Sequence, residues 1–164
     1  MAMDSDKKLG NLSFIDKTSL VISTVFGIGY TPLCPGSAAC VAAVLVFLII
    51  KNQTFFLIFT AASIILAFVF PGRAEKIYAK KDDKHIVIDD FSGMLLSFLF
   101  IPRDVPFAVV GFFLFRMFDM LKIHPADRVE KYPGAIGITS DDLIAGAYAN
   151  IILQIVRHLP GVSS

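Results

Sequence analysis

The chain is poor in charge. Asp, Glu, Lys and Arg make up 18% of its 164 residues, against about 25% in ordinary soluble domains. It has no tryptophan and only two cysteines, Cys34 and Cys40. So few cysteines exclude a disulfide framework, and their spacing matches no zinc site. It also excludes a cysteine-phosphatase loop, because Cys40 stands where that loop needs an arginine. There is no G-x-S-x-G nucleophile elbow. No block of like charge suggests a nucleic-acid tail, so nucleic acid is not an expected partner. No Ser/Gly linker, repeat or low-complexity tract divides residues 1–164, which read as one domain with a polar segment at 1–19. Asp16 and Lys17 interrupt the N-terminal region before the apolar run starting at Leu20, so a cleaved leader is not expected.

What the chain has instead is hydrocarbon. Hydrophobic residues make up 55% of it, with sixteen phenylalanines, and the mean hydropathy is +0.71. These values predict an integral membrane protein. Apolar segments at Gly36–Ile50, Phe55–Phe70, Phe91–Ile101, Val105–Leu121 and Leu143–Leu159 predict helices. Most fall slightly short of the ~20 residues needed to cross a ~30 Å hydrocarbon core. The third reaches sixteen or so only if it begins at Ile86 and takes in Asp89 and Asp90. Leu20–Tyr30 reads as an interfacial or re-entrant helix. The expected fold is therefore all-α, a polytopic helical bundle of about five spans with that helix before it.

Lys and Arg alternate between the connections, which sets orientation. Lys7, Lys8 and Lys17 precede the first span. The 71–85 connection holds Arg73, Lys76, Lys80, Lys81 and Lys84, and the next one on that side holds Lys122, Arg128 and Lys131. The intervening turns carry only Lys51 and Arg103. The basic connections are expected to face the cytoplasm. On that side lie Asp89 and Asp90, the Arg116–Asp119 end of the fourth span, Asp141 and Asp142, and the loop Gly27–Gly36.

Ionisable groups at membrane depth are costly and usually face a bundle interior or a wet cavity. Each Asp-Asp pair begins an apolar helix, where the dipole favours negative charge and an aspartate or Ser140 can simply cap. Two such pairs on one face, with Asp119, also suit a hard cation such as Mg²⁺ or Mn²⁺. Arg116, Asp119 and Lys122 are spaced i, i+3 and i+6, which permits an intrahelical ion pair or a phosphate-facing arginine. "GIGYTPLCPGS" is not a GxGxxG loop. Its Pro35-Gly36-Ser37 end can present free N–H groups at a helix start, or merely break a helix. His85 and His124 lie on the acidic side, where a histidine can transfer protons, and His158 reads as interfacial. Ala38/Ala42 and Ala145/Ala149 read as helix-packing pairs.

Four blocks, "GIGYTPLCPGS", "KDDKHIVIDDFSGM", "FRMFDMLKIHPADR" and "YPGAIGITSDDLIAG", resemble the phosphatidylglycerophosphatase A family in order and spacing, from about Gly27 to Gly146. The resemblance implies a small Mg²⁺-dependent inner-membrane phosphatase that converts phosphatidylglycerophosphate to phosphatidylglycerol. The family's motif positions fall on Gly27, Pro32, Pro35, Gly36, Asp82, Asp89, Asp90, Gly93, Arg116, Asp119, Lys122, Pro125, Gly137, Asp141, Asp142 and Gly146. Asp90 stands where the family usually has glutamate, Ser37, Ala39 and Cys40 where it favours Thr, Gly and Ser, and Lys122-Ile123-His124-Pro125 where it has Lys-Pro-Trp-Pro.

On this reading Asp89, Asp90, Asp141 and Asp142 hold the metal. Arg116 and Lys122 stabilise phosphoryl charge, helped by Gly36 and Ser37 backbone donors. Asp119 orients Arg116, or serves as ligand or base. The competing expectation from the acids is a small membrane cation transporter, which would spread them through the bilayer depth.

Overall fold

The computed structural model describes residues 13–80, 83–121 and 135–159, apart from the side chains of residues 135 and 138. The described chain is helical, with no β-strand among these residues. Helix α1 (Phe14–Ser23) leads through a 3₁₀ turn (Ile28–Tyr30) to α2 (Pro35–Ile49) and α3 (Gln53–Val69). A short α4 (Pro71–Tyr78) continues α3. Then come α5 (Ile88–Ser97), α6 (Val105–Leu121) and α7 (Ala135–Arg157).

Local chemistry accounts for most boundaries. Pro35 opens α2 at a position where its missing N–H is not needed. Asn52 caps α3, its Oδ1 accepting from the Phe55 N–H at 2.9 Å. Pro71 starts α4 directly after α3, so Gln53–Tyr78 forms a continuous 26-residue helix whose α3 part is apolar. This helix is long and apolar enough to cross a membrane, and only 28% of its most apolar window is buried in the protein. It is not the buried core helix of a soluble domain.

The N-terminal helix differs from expectation. It begins at Phe14, inside the segment read as polar, and ends at Ser23 rather than running from Leu20 to Tyr30. Thr18 Oγ1 donates to the Phe14 carbonyl, and Asp16 pairs with Arg73 at 2.9 Å, tying α1 to α4. Beyond Thr24, Val25, Phe26 and Gly27 take φ of 48°, 54° and 93°, which ends the helix.

Helix α5 is the axis of the bundle. It packs against α7, α2, α3 and α6, and its buried residues include Ile88, Asp89, Phe91, Ser92, Gly93, Met94, Leu95 and Ser97. It runs from Ile88 to Ser97 instead of Phe91–Ile101, so both aspartates are inside it. Ten residues cover only about 15 Å. Its C-terminal carbonyls are satisfied by other helices. Asn150 Nδ2 donates to Ser97 and Leu99, Gln154 to Leu99 and Arg157 to Phe100. Arg103 then donates to the Ile50 carbonyl and to Gln53 while lying over the Phe47 and Phe56 rings. The far end of α5 is thereby fixed at the α2–α3 turn. Phe47 and Phe98 stack beneath it at 4.1 Å.

Helix α6 has the bounds its hydropathy predicts. Helix α7 starts eight residues earlier than the expected Leu143, so Asp141 and Asp142 lie in its second turn instead of opening it. Leu45, Ile49, Ile58, Ile65, Val109, Phe113, Ile151 and Ile155 point outward and are exposed, an apolar exterior far larger than isolated surface hydrophobes would make.

Candidate active site

The site forms where the start of α5 meets α2, α6 and α7. Val87 N–H donates to the Ser23 carbonyl at 2.9 Å, which fixes the entry to α5. Val87 is the N-cap residue and supplies no side-chain cap. Asp89 partly fills that role, its Oδ1 accepting the Asp90 N–H at 3.0 Å. Asp90 does not cap. Its carboxylate points across to α6 and α2.

From α6, Arg116 Nη1 donates to Asp90 Oδ1 at 2.6 Å and to Asp119 Oδ2 at 2.8 Å. The i, i+3 ion pair therefore exists, and it extends to a second helix. From α2, the Gly36 backbone lies directly against Asp90: a Cβ added there would overlap the Asp90 carboxylate. Cys40, one helical turn on, is buried, with Sγ 3.9 Å from Asp90 Oδ1 and 4.0 Å from Arg116 Nη1.

From α7 comes Asp142, 6% exposed, with Asp141 beside it at 9%. Two glycines let α7 approach α5 this closely. A Cβ on Gly93 would lie 2.6 Å from the Asp142 carbonyl oxygen, and one on Gly146 would overlap the Gly93 carbonyl oxygen. Backbone thus meets backbone, and Asp142 is delivered to α5.

The outcome is a cluster in which carboxylate oxygens of Asp89, Asp90 and Asp142 lie within 4.8 Å of one another. Unit charges about 4 Å apart interact by about 4 kcal/mol at an effective dielectric of about 20. Three carboxylates this close repel strongly, and Arg116 offsets only part of that. Converging hard oxygen donors of this kind fit Mg²⁺, Mn²⁺ or Ca²⁺ better than a soft metal.

Of the residues singled out in the sequence, the structure gathers Asp89, Asp90, Asp142, Arg116, Asp119 and Gly36. Asp141 is buried next to them, and Ser37 is half-buried in the first turn of α2. Lys122 lies outside the described residues, as do Asp82, His124 and Pro125. His85 is engaged elsewhere. Its ring Nδ1 donates to Asp83 at 2.5 Å and packs between Tyr30 and Tyr78, and its carbonyl abuts Gly29. The sequence placed Cys40 at a family position but gave it no role in the site. Its i+4 spacing from Gly36 was the available signal.

A profile of the phosphatidylglycerophosphatase A family matches residues 21–157. Among curated proteins, the chain is 28% identical to phosphatidylglycerophosphatase A of Haemophilus influenzae, over 95% of this chain and 98% of that one. It is 27% identical to the Escherichia coli enzyme of the same name, over 84% and 83%. It is also 29% identical to a provisionally named phosphatidylinositol-3-phosphatase of Bacteroides thetaiotaomicron, over 87% and 95%. No solved structure matches.

Proposed function

Since the chain belongs to the phosphatidylglycerophosphatase A family and is a phosphatase, we propose that it hydrolyses the terminal phosphate of phosphatidylglycerophosphate, releasing phosphatidylglycerol and inorganic phosphate. The observation carrying this reading is the meeting of Asp89, Asp90 and Asp142 oxygens within 4.8 Å beside Arg116. Anionic and cationic groups adjoin there, as a phosphate and its counter-cation require.

Asp89, Asp90 and Asp142, with Asp141 adjacent, would hold Mg²⁺. When bound, the ion would neutralise phosphate charge and polarise the attacking water. Arg116 binds the transferring phosphoryl group through its planar fork, and Asp119 keeps the guanidinium aimed. Lys122 adds a second positive charge. The free N–H groups of Gly36 and Ser37 at the α2 start donate to phosphate oxygens. In the overall reaction the phosphorus–oxygen bond to the lipid breaks, water supplies the new oxygen, and the lipid alcohol takes a proton. Trapping of an aspartyl-phosphate would indicate a covalent route; its absence, with one solvent oxygen incorporated, would indicate direct attack by water.

The protein is proposed to reside in the bacterial cytoplasmic membrane with this site on the cytoplasmic face. The Lys/Arg alternation and the apolar exterior support that placement. Helices α2, α3, α6 and α7 would traverse the bilayer. Helix α5 and its C-terminal turn would make the remaining passage inside the bundle, screened from lipid. The acids gather at one end of the bundle, which favours a surface phosphatase over a cation transporter.

The test is phosphate release from phosphatidylglycerophosphate by the purified protein in detergent, with Mg²⁺ and with EDTA. Mg²⁺-dependent release is expected. No release under either condition would overturn the reading.

A further inference from the structure

An apolar cavity of about 570 Å³, within the ~300–1,000 Å³ of ordinary ligand sites, is lined in part by the first turn of α5, the turn that carries Asp89 and Asp90. It is bounded by the turn after α1, by α2, by α3 and by the start of α5. Ile88 and Phe91, which bracket Asp89 and Asp90 in sequence, form its α5 wall. The cavity and the carboxylate cluster thus share the first turn of α5, Ile88 and Phe91 facing the one and Asp90 the other.

Its chemistry is hydrocarbon. Ser63 is the one hydroxyl residue in the lining, and its Oγ already donates to the Thr60 carbonyl at 2.8 Å. A ligand here meets no polar demand. Its depth is also informative. On α2, Gly36 touches Asp90, while Ala42 and Val46 line the cavity. Six and ten residues of helix place them about 9 and 15 Å along α2 from Gly36. Measured from Gly36, the α2 wall of the cavity therefore reaches about half the ~30 Å thickness of a hydrocarbon core.

The rim is built from strained backbone. Val25 and Phe26 both hold positive φ, which is costly for any side chain and rare for a β-branched one. Thr24 Oγ1 accepts the Gly27 N–H, and Phe26 N–H donates to the Val21 carbonyl, which hold the turn. As a result Val25 is buried against the cavity wall, and Phe26, 85% exposed, stands at its edge. Ala62 of α3 is exposed on the same opening, so entry is lateral, from the side of the bundle.

We propose that this cavity receives one fatty acyl chain of the lipid phosphate substrate, so that the tail selects the substrate and sets its headgroup against Asp89, Asp90 and Asp142. The proposal rests on the phosphatase reading above. Ala42→Phe places a ring in the cavity. It is expected to lower kcat/KM about tenfold or more on a long-chain dioleoyl phosphatidylglycerophosphate, the effect of losing roughly two buried methylenes. On a dihexanoyl analogue it should stay within about twofold, as for a change away from the site. Ile65→Phe, on the exposed outer face of α3, should change neither. Equal loss on both lipids with Ala42→Phe, or no loss on either, overturns the proposal.

A second measurement needs no variant. A lipid phosphate carrying a diazirine midway along one acyl chain, photolysed with the unmodified protein, should label Ile22, Phe59 and Leu66. Labelling spread equally over the outward Ile58 and Ile65 overturns the cavity assignment. If the unmodified protein hydrolyses neither lipid, the phosphatase reading falls, and the labelling map alone decides whether the cavity takes an acyl chain.

Discussion

Arg116 bridges two helices through one nitrogen, Nη1, which donates to Asp90 on α5 and to Asp119 on its own helix. Lysine at this position would keep the charge but lose the planar fork that matches phosphate oxygens. Arg116→Lys is expected to reduce kcat on phosphatidylglycerophosphate about 10²-fold, the usual effect of removing one donor to developing charge. KM should change much less. Near-normal turnover would remove Arg116 from the phosphate-binding set.

The two glycine contacts differ in what surrounds them, and so should their variants. A Cβ at Gly146 collides with a backbone carbonyl on α5, which cannot move without separating the helices. Gly146→Ala should destabilise the fold by about 1–3 kcal/mol, the range for overpacking, and lower the Tm in detergent. A Cβ at Gly36 meets the end of the Asp90 side chain, which can swing aside. Gly36→Ala should keep most of the Tm but raise the Mg²⁺ concentration needed for half-maximal activity. If both variants lost Tm equally, the two contacts would not differ as described.

Much of this site was legible because charge is scarce in an apolar chain. Asp89, Asp90, Asp119, Asp141 and Asp142 stand out against phenylalanine and leucine, and the Lys/Arg alternation assigns them to one face. The limits of α6 followed directly from its hydropathy. The start of α7 did not, because Ala135–Ser140 reads as a Gly/Thr/Ser loop until Asp142 must be carried two turns into the bundle to meet Asp89. Helix α5 was also misjudged at both ends. Its C-terminal end is set by tertiary donors, Asn150, Gln154 and Arg157, and its start by the Val87 N–H bond to the Ser23 carbonyl, none of which a local pattern records. The place of Cys40 in the site was hidden for a similar reason. Only the approach of α2 to α5 at Gly36 turns a small buried side chain into a neighbour of Asp90.

Asp90 occupies the crowded centre of the cluster, so its charge and its length can be tested separately. Asp90→Asn removes one charge from the proposed ligand set and should abolish turnover. Asp90→Glu keeps the charge and lengthens the side chain by one methylene, and should retain activity within about tenfold, a difference of about 1.4 kcal/mol. Mg²⁺ should also raise the Tm of the unmodified protein, by linkage to binding worth about 2.7 kcal/mol at a hundredfold excess over Kd. The same Tm gain in Asp90→Asn would place the cation elsewhere.

Asp83 lies before α5, away from the carboxylate cluster. Burial pushes its carboxyl up, but the His85 backbone N–H, the His85 ring and Lys80 outweigh burial and hold it below its ordinary value. A carboxylate depressed in the folded state contributes stability above the unfolded pKa, about 3.9. That contribution is lost as pH falls through the lower folded value. Asp83→Asn should therefore melt below the unmodified protein near neutral pH by a roughly constant margin. The margin should narrow below about pH 4 and close in stronger acid. Because Asp83 anchors His85 between Tyr30 and Tyr78, the variant should also loosen the Gly27–Tyr30 turn, read as faster amide exchange there. A margin independent of pH down to the acid limit would show that Asp83 stabilises by packing and not by its charge.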